Sequence, residues 1–409
     1  MLPAAVRVVS VALLLAGLPL RAQVRAFTGA TLWDGTGRAS VANATILVSD
    51  GRVLAAGPAA AIRVPRGAQQ VRLDGKFVIP GLVSAHAHVN GAADLSTFAA
   101  YGVTTVYSLG GEPADVFAAR RAQEVPTLAR SRVFIAGPVL TPATPDEARK
   151  QVAEVVAQGV DIVKIRLDDN LGTTAKMTPE VYRAVIDEAH KRGKRAATHL
   201  FYLGDARSLL EAGSDLVAHS IRDSVVDAGV IATLKRRDVC VSPTLMREVS
   251  TFVYESVPDF FSDPLFLAHA NREWVAQLQE PARQAAMRAS PAAQRYKVAL
   301  EMASQNLKLL SDAGVRIAMG TDAGPVGRFH GYFELMELEL MAKAGLTPVQ
   351  VLTAATRDAA RCMRIDRDLG TLEAGKWADF VVLDADPLAT VSNARRIASV
   401  WIAGNPVAR

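Results

Sequence analysis

The chain has 409 residues, 50% of them hydrophobic and 21% charged. That excludes a disordered, collagen-like or disulfide-scaffold protein and leaves room for a sizeable core, either two or three domains or one barrel with a smaller partner. Lys and Arg number 46 against 41 Asp and Glu, a net charge of +5, too mild and too evenly spread for a nucleic-acid binder.

Residues 1–22, MLPAAVRVVSVALLLAGLPLRA, place Arg7 ahead of an apolar run from Val8 to Leu18 and end on the small residue Ala22. This is signal-peptide anatomy, and the run is shorter than the roughly 20 residues a bilayer span needs. Its removal takes Arg7 and Arg21 and leaves 44 basic against 41 acidic residues, a net +3. The expectation is an exported protein, periplasmic or secreted, with no membrane association after signal removal. Cys240 lies in a strand pattern and Cys362 in a late helix pattern. Nothing in their spacing places them together, so they read as two buried small apolar side chains.

From Val24 to Val78 short strand patterns alternate with turn signals, among them Asp50-Gly51 between two apolar runs, a strong hairpin signature. The C-terminal stretches ADFVVLDADP and IASVWIAGNPV repeat the style. Residues 23–79 and 369–409 are therefore expected to form one composite β-sandwich. Between them, over 80–368, eight apolar strand patterns alternate with helix patterns that often end in Gly, as in KRG, EAG and DAG. Eight such units point to an α/β fold of the (β/α)8 barrel type. A doubly wound sheet is the alternative, but no Gly-rich phosphate fingerprint follows any strand. A long helical insertion at about 246–294 carries Phe252, Tyr254, Phe260, Phe261, Phe266 and Trp274. A lid over the active face and an oligomer contact are its two readings.

His86-Ala87-His88 ends the first barrel strand in PGLVSAHAHV. Side chains at i and i+2 of a strand share a face, so both imidazoles point to the catalytic rim as a metal-ligand pair. His199 ends the fifth strand and His219 the sixth, and Asp322 ends the eighth in VRIAMGTDAG. A carboxylate there can ligate a metal and take a proton. Lys164 in VDIVKIRL shares parity with Ile162 and Arg166 and points inward if Val163 and Ile165 face helices. A neutral amine at that position can take up carbon dioxide to form an anionic carbamate. Arg166, one step further along that face, suits a substrate carboxylate. Tyr107, Tyr202, Arg247 and His330 are further candidate substrate contacts. His190 sits on an exposed helix pattern and His269 in the insertion.

The stretches PGLVSAHAHV, VDIVKI, THLF, LVAHS, GTDAG, the run from His330 to Thr356, and GTLEAGKWADFVVLDADP resemble the amidohydrolase superfamily, in its imidazolonepropionase-like or prolidase-like branch. The resemblance covers nearly the whole chain after residue 22. It implies two divalent metal ions, usually zinc. His86, His88 and Asp322 would hold one, His199 and His219 the other, and carboxylated Lys164 would bridge them. It also implies a small-molecule substrate and a homo-oligomer. The implied reaction is hydrolysis of an amide or peptide-like C–N bond, of dipeptide or N-acyl amino acid type, by a metal-bridging hydroxide with Asp322 as proton carrier. Hydrolysis of a cyclic amide, lactone or amino-heterocycle, with one metal or two, is the second reading, and a non-catalytic barrel the third. The segment RLDDNLGTT after Lys164 departs from the Gly-rich turn of the dipeptidases, which bears on substrate recognition rather than on the metal ligands.

Overall fold

Strands from both ends of the chain share one sheet. The structure, a computed structural model, describes residues 23–408; the expected export signal at 1–22 lies outside the described residues. The N-terminal stretch supplies β1 (Arg25–Leu32), β2 (Val41–Ser49), β3 (Arg52–Pro58), β4 (Gln69–Arg72) and β5 (Phe77–Pro80). The middle supplies β6 (Leu82–Ala87), β7 (Val103–Ser108), β8 (Arg132–Ile135), β9 (Val163–Arg166), β10 (Ala196–His199), β11 (Leu216–Val217) and β12 (Cys240–Val241). The C-terminal stretch supplies β13 (Phe380–Leu383), β14 (Ile397–Ile402) and β15 (Asn405–Pro406).

The first and last groups form an eight-stranded sheet in the order β15-β14-β13-β5-β1-β2-β3, with β4 beside β1. The β2–β3 hairpin turns through Asp50 (φ 52°) and Gly51 (φ 75°), the pair of left-handed residues that a two-residue turn with the right twist requires. At the centre Val382 of β13 pairs with Val78 of β5. A buried ion pair fastens this sheet to β8: Arg132 Nε lies 3.0 Å from Asp379 Oδ2. The same guanidinium stacks 4.1 Å over the Trp377 ring.

The middle strands are parallel, β6-β7-β8 in one sheet and β9-β10-β11-β12 in another. Helices such as Pro145–Ala157, Pro179–Lys191 and Leu203–Ala212 separate them. This is an α/β arrangement of the TIM-barrel kind. Pro179–Lys191 shows how the sequence sets one crossover. Proline occupies its first turn, Val181, Ala184, Val185 and Ala189 recur at helical spacing and are buried, and Gly193 at φ 69° lets the chain leave. The expected eighth strand, VRIAMGTD, is not a regular strand. It contributes isolated parallel bridges, Ile317 to Val241 and Ala323 to Ala87, because Asp322 takes φ 61° and breaks the pleat.

Lys164 has the parity expected for an inward residue. Val163 and Ile165 pack in the cluster that contains the helix residues Val152, Val155, Val181 and Val185. Ile162 packs instead with Val83, Tyr107, Ala197 and Ala318. Cys240 and Cys362 belong to that second cluster and correct the reading of two separate apolar side chains: they form a disulfide with Cα atoms 5.9 Å apart. The helix Arg357–Cys362 meets β12 there, a proximity that a separation of 122 residues does not encode. The insertion's aromatics turn onto their own chain. Phe261 and Phe266 stack at 5.4 Å, and Phe266 also meets Phe329 at 4.8 Å and Tyr332 at 5.0 Å. Among the described residues no helix is long and apolar enough to cross a membrane.

Candidate metal centre

The donor atoms expected from His86, His88 and Asp322 lie within 4.8 Å of one another. His86 comes from β6, His88 follows it, and Asp322 arrives on the irregular segment whose Thr321 and Asp322 N–H groups both donate to the His86 carbonyl at 2.9 Å. The left-handed Asp322 backbone is a conformation that costs a non-glycine residue about 1–3 kcal/mol and clusters at functional sites.

Proton placement on the two imidazoles follows from their partners. Nδ1 of His86 lies 2.6 Å from the Ala218 carbonyl and Nδ1 of His88 2.8 Å from the Gly110 carbonyl. A carbonyl only accepts, so each Nδ1 carries the proton and each Nε2 presents a lone pair. Those Nε2 atoms sit 3.2 Å and 2.9 Å from Asp322 Oδ1. Burial works to raise the Asp322 carboxyl, but Arg328 and the two histidines hold it well below its ordinary range. Two imidazole acceptors converging on an ionised carboxylate oxygen call for a positive charge among them. Backbone carbonyls that fix the far side of each ring are the usual support of metal-ligating histidines.

His219 and His199 adjoin this group. The His219 ring lies 4.6 Å from that of His86 and 4.1 Å from that of His199. His219 Nδ1 bonds Thr244 Oγ1 at 2.8 Å, and its buried Nε2 makes no hydrogen bond within the described residues. His199 Nε2 donates to Asp168 Oδ2 at 2.8 Å, so the ring proton sits there and Nδ1 carries the lone pair. Burial, with the nearby charge of Lys164, pulls His86 and His199 down to about 3; both are neutral at physiological pH, the state a ligand needs. Lys164 is 2% exposed, and its Nζ is 3.1 Å from His86 Nε2. Burial brings its ammonium down to about 7, against the pull of Asp322 and Glu112, so a neutral amine is available. This donor set, neutral imidazoles with one orphaned buried nitrogen beside an ionised carboxylate, fits divalent metal ions.

Above the centre is a cavity of about 380 Å³ whose lining includes His88, Lys164, Arg166, His199, Arg247, Asp322 and Arg328. A larger depression of about 520 Å³ lies at the other ends of the strands, between Leu234, Arg316 and Arg357, with no histidine in its lining. Arg166 and Arg247 thus line the upper cavity, and three other candidates do not. Tyr202 donates to Asp169 Oδ1 at 3.0 Å. His330 bonds the His88 carbonyl at 3.0 Å from behind and faces a separate cavity with Phe329 and Trp274. Tyr107 is buried with its hydroxyl on the Met363 carbonyl at 2.9 Å.

A model of the Amidohydrolase family matches residues 77–407. The chain belongs to that family. It is a hydrolase acting on C–N bonds, and its family uses divalent metal ions. Among relatives of this amidohydrolase, the imidazolonepropionase of Methylobacterium sp. (strain 4-46) is 25% identical over 405 residues, covering 87% of this chain and 92% of that one. A prolidase-like structure from Bifidobacterium longum superposes with a TM-score of 0.77 at 27% identity over 95% of both chains. A Xaa-Pro dipeptidase with bound methionine shares the fold, with a TM-score of 0.75 at 19% identity over 94% of this chain and 99% of that one.

Three features of this amidohydrolase's site escaped the sequence reading. Asp168 orients His199, and its signal was the acidic pair in RLDDN directly after β9. Arg328 pairs with Asp322 Oδ2 and donates from Nε to Ser250 Oγ at 3.0 Å. Glu337, fully buried on the helix Tyr332–Lys343, accepts from the N–H groups of Leu245 and Met246 at 2.8 and 2.7 Å and so holds the segment that carries Arg247. Burial pushes Glu337 from its ordinary 4.5 up to about 8. Between those values the unfolded chain has released a proton that the folded chain keeps, so this group's contribution is full below about 4.5 and lost as pH rises through about 8. Glu337→Gln is expected to flatten the decline of the urea midpoint between pH 5 and pH 8; an unchanged slope would refute the assignment.

Gly324 (φ 130°) passes so close that an added Cβ would lie 2.3 Å from the His88 carbonyl oxygen and 2.7 Å from His88 Cβ. Gly324→Ala is therefore expected to lower stability by about 1–3 kcal/mol and to weaken metal uptake. Denaturant titration with parallel metal analysis checks both.

Proposed function

We propose that this amidohydrolase is a binuclear metal-dependent enzyme that hydrolyses an amide or peptide-like C–N bond of a small substrate, of dipeptide or N-acyl amino acid type. The observation that carries the reading is the convergence of two imidazole acceptors on the Asp322 carboxylate, 2.9 and 3.2 Å away. Beside them stand a buried amine on Lys164 and an orphaned nitrogen on His219.

His86, His88 and Asp322 would hold one ion, His199 and His219 the second, with Lys164 joining the two sides as its carbamate. Zinc suits this nitrogen and oxygen set. When bound, the ions supply Lewis acidity toward a carbonyl and a water of lowered pKa. Carbamate formation joins the Lys164 nitrogen to the carbon of carbon dioxide and releases one proton. Asp322, ionised at neutral pH, would take a proton from the attacking water and deliver it to the leaving nitrogen. Arg328 on its second oxygen fixes the carboxylate's orientation. The side chains around the 380 Å³ cavity restrict the substrate to a small molecule.

The same reading extends to the architecture. Backbone contacts of Ile317 and Ala323 with β12 and β6, and of Leu140 with Ile165 of β9, support an eight-membered parallel ring over 80–368. The shared sheet supports a composite module of 23–79 and 369–409. The Cys240–Cys362 disulfide favours an oxidising compartment and so supports export, with 1–22 as its signal.

Metal analysis of the chain matured without 1–22 and supplied with zinc and bicarbonate tests the proposal. About two ions per chain is the expected result. One ion refutes the binuclear centre, and none refutes metal-dependent hydrolysis.

A further inference from the structure

A second cavity, of about 370 Å³, shares no lining residue with the one above the metal centre and has a different chemistry. The rings of Tyr101, Phe266, Trp274 and Phe329 line it, and neither Lys nor Arg does. Those rings pack on one another: Phe329 lies 4.8 Å from Phe266 and 5.8 Å from Trp274. Two acceptors face each other among them. His330 is 8% exposed, and its Nε2 donates to the His88 carbonyl at 3.0 Å, so the ring proton sits there. Burial lowers the titration of the ring below its ordinary value, which leaves a lone pair on Nδ1. That nitrogen lies 3.7 Å from Asp94 Oδ1. The other Asp94 oxygen accepts from the Asn90 N–H at 2.8 Å. Among the described residues no Lys or Arg pairs with Asp94; the His330 ring is its ion-pair neighbour. A lone pair set against a partly buried carboxylate that lacks a counter-charge is costly.

We propose that this cavity binds a primary organic ammonium ion with a small apolar body, its nitrogen between Asp94 and His330 and its body against the aromatic wall. A charged N–H donor sits about 2.8 Å from its acceptor, so a single nitrogen reaches two acceptors 3.7 Å apart. Trp274 and Phe329 supply the ring systems that attract a cation. A hydroxyl has one proton for two acceptors and no charge, so both donor count and charge select the amine. The site is independent of what the metal centre cleaves. It adjoins that centre all the same, because His330 holds the His88 carbonyl and Asn90 Nδ2 donates to the Gly324 carbonyl at 2.7 Å.

The probes are benzylammonium and benzyl alcohol, which share a ring and differ in charge and donor number. Calorimetric titration of the metal-supplied chain is expected to show the ammonium binding about 10- to 100-fold tighter, the range for hydrogen bonds to a charged group. Asp94→Asn keeps an acceptor for the Asn90 N–H and removes the charge. It should bring the ratio close to one while the alcohol binds as before, which also shows that the cavity is intact. Trp274→Leu should weaken the ammonium by about 3- to 30-fold. Asp146→Asn, at a carboxylate 97% exposed on another helix, should change nothing. Equal binding of the two probes, no binding of either, or an ammonium affinity untouched by both Asp94→Asn and Trp274→Leu overturns the proposal. So does an Asp94→Asn variant that loses both probes by the same factor.

Discussion

Replacing Lys164 with alanine is expected to strip the centre of most of its metal and to lower kcat/KM by more than about 100-fold, the upper end of what loss of an outer-shell partner costs. The side chain is 2% exposed and sits 3.1 Å from His86 Nε2. A permanent ammonium beside two cations would repel them, whereas burial has already moved its titration down to about 7. The neutral amine is thus populated near neutrality and can carry the anionic carbamate. Alanine removes the nitrogen without touching the rings of His86, His199 or His219. A small carboxylic acid in the space left behind should restore part of the activity and part of the metal. Metal content and rate unchanged in Lys164→Ala would refute the bridging role outright.

The Cys240→Ser/Cys362→Ser double variant is expected to lose about 2–5 kcal/mol of stability. The bond joins positions 122 residues apart, so it removes much freedom from the unfolded chain. Its closed loop contains the insertion, Arg247, Asp322 and Arg328, so cleavage also loosens the elements that carry the upper cavity. Both sulfurs lie in the inner apolar cluster, where serine hydroxyls would need partners. Denaturant midpoints of wild type and variant, with and without reductant, check the effect. A reductant that shifts neither midpoint would show that the cross-link carries no stability.

Where local periodicity determines structure, the sequence was readable. Alternation in a strand placed His86 and His88 on one face and separated Lys164 from Val163 and Ile165. Asp50-Gly51 announced its hairpin. The family resemblance then joined residues that no local pattern connects, since His199 and His219 are each unremarkable alone. What stayed hidden depends on tertiary proximity. Cys240 and Cys362 meet only because the helix Arg357–Cys362 packs against β12. Arg328 reaches Asp322 through the tight turn of 324–328, where Arg328 N donates to the Pro325 carbonyl at 2.8 Å. The last barrel segment read as a strand because Val315, Ile317 and Met319 alternate, yet Gly320 and the left-handed Asp322 bend it toward the histidines. The candidate contacts Tyr107, Tyr202 and His330 turn instead onto the Met363 carbonyl, Asp169 and the His88 carbonyl, because sequence pattern does not say which way a ring faces.

The sheet shared by the two chain ends sets an order of events for folding. β5 is complete once residue 80 has been made, but its partner β13 starts at Phe380. Until that last stretch arrives, β5 offers an open edge where Val78 and Ile79 later pair with Val382 and Val381. Unpaired apolar edges invite association with other chains, and contacts this distant in sequence form slowly. A chain truncated anywhere before residue 380 keeps that edge open permanently. The C-terminal strands therefore act as a check on completeness: only a full-length polypeptide can cover its own beginning.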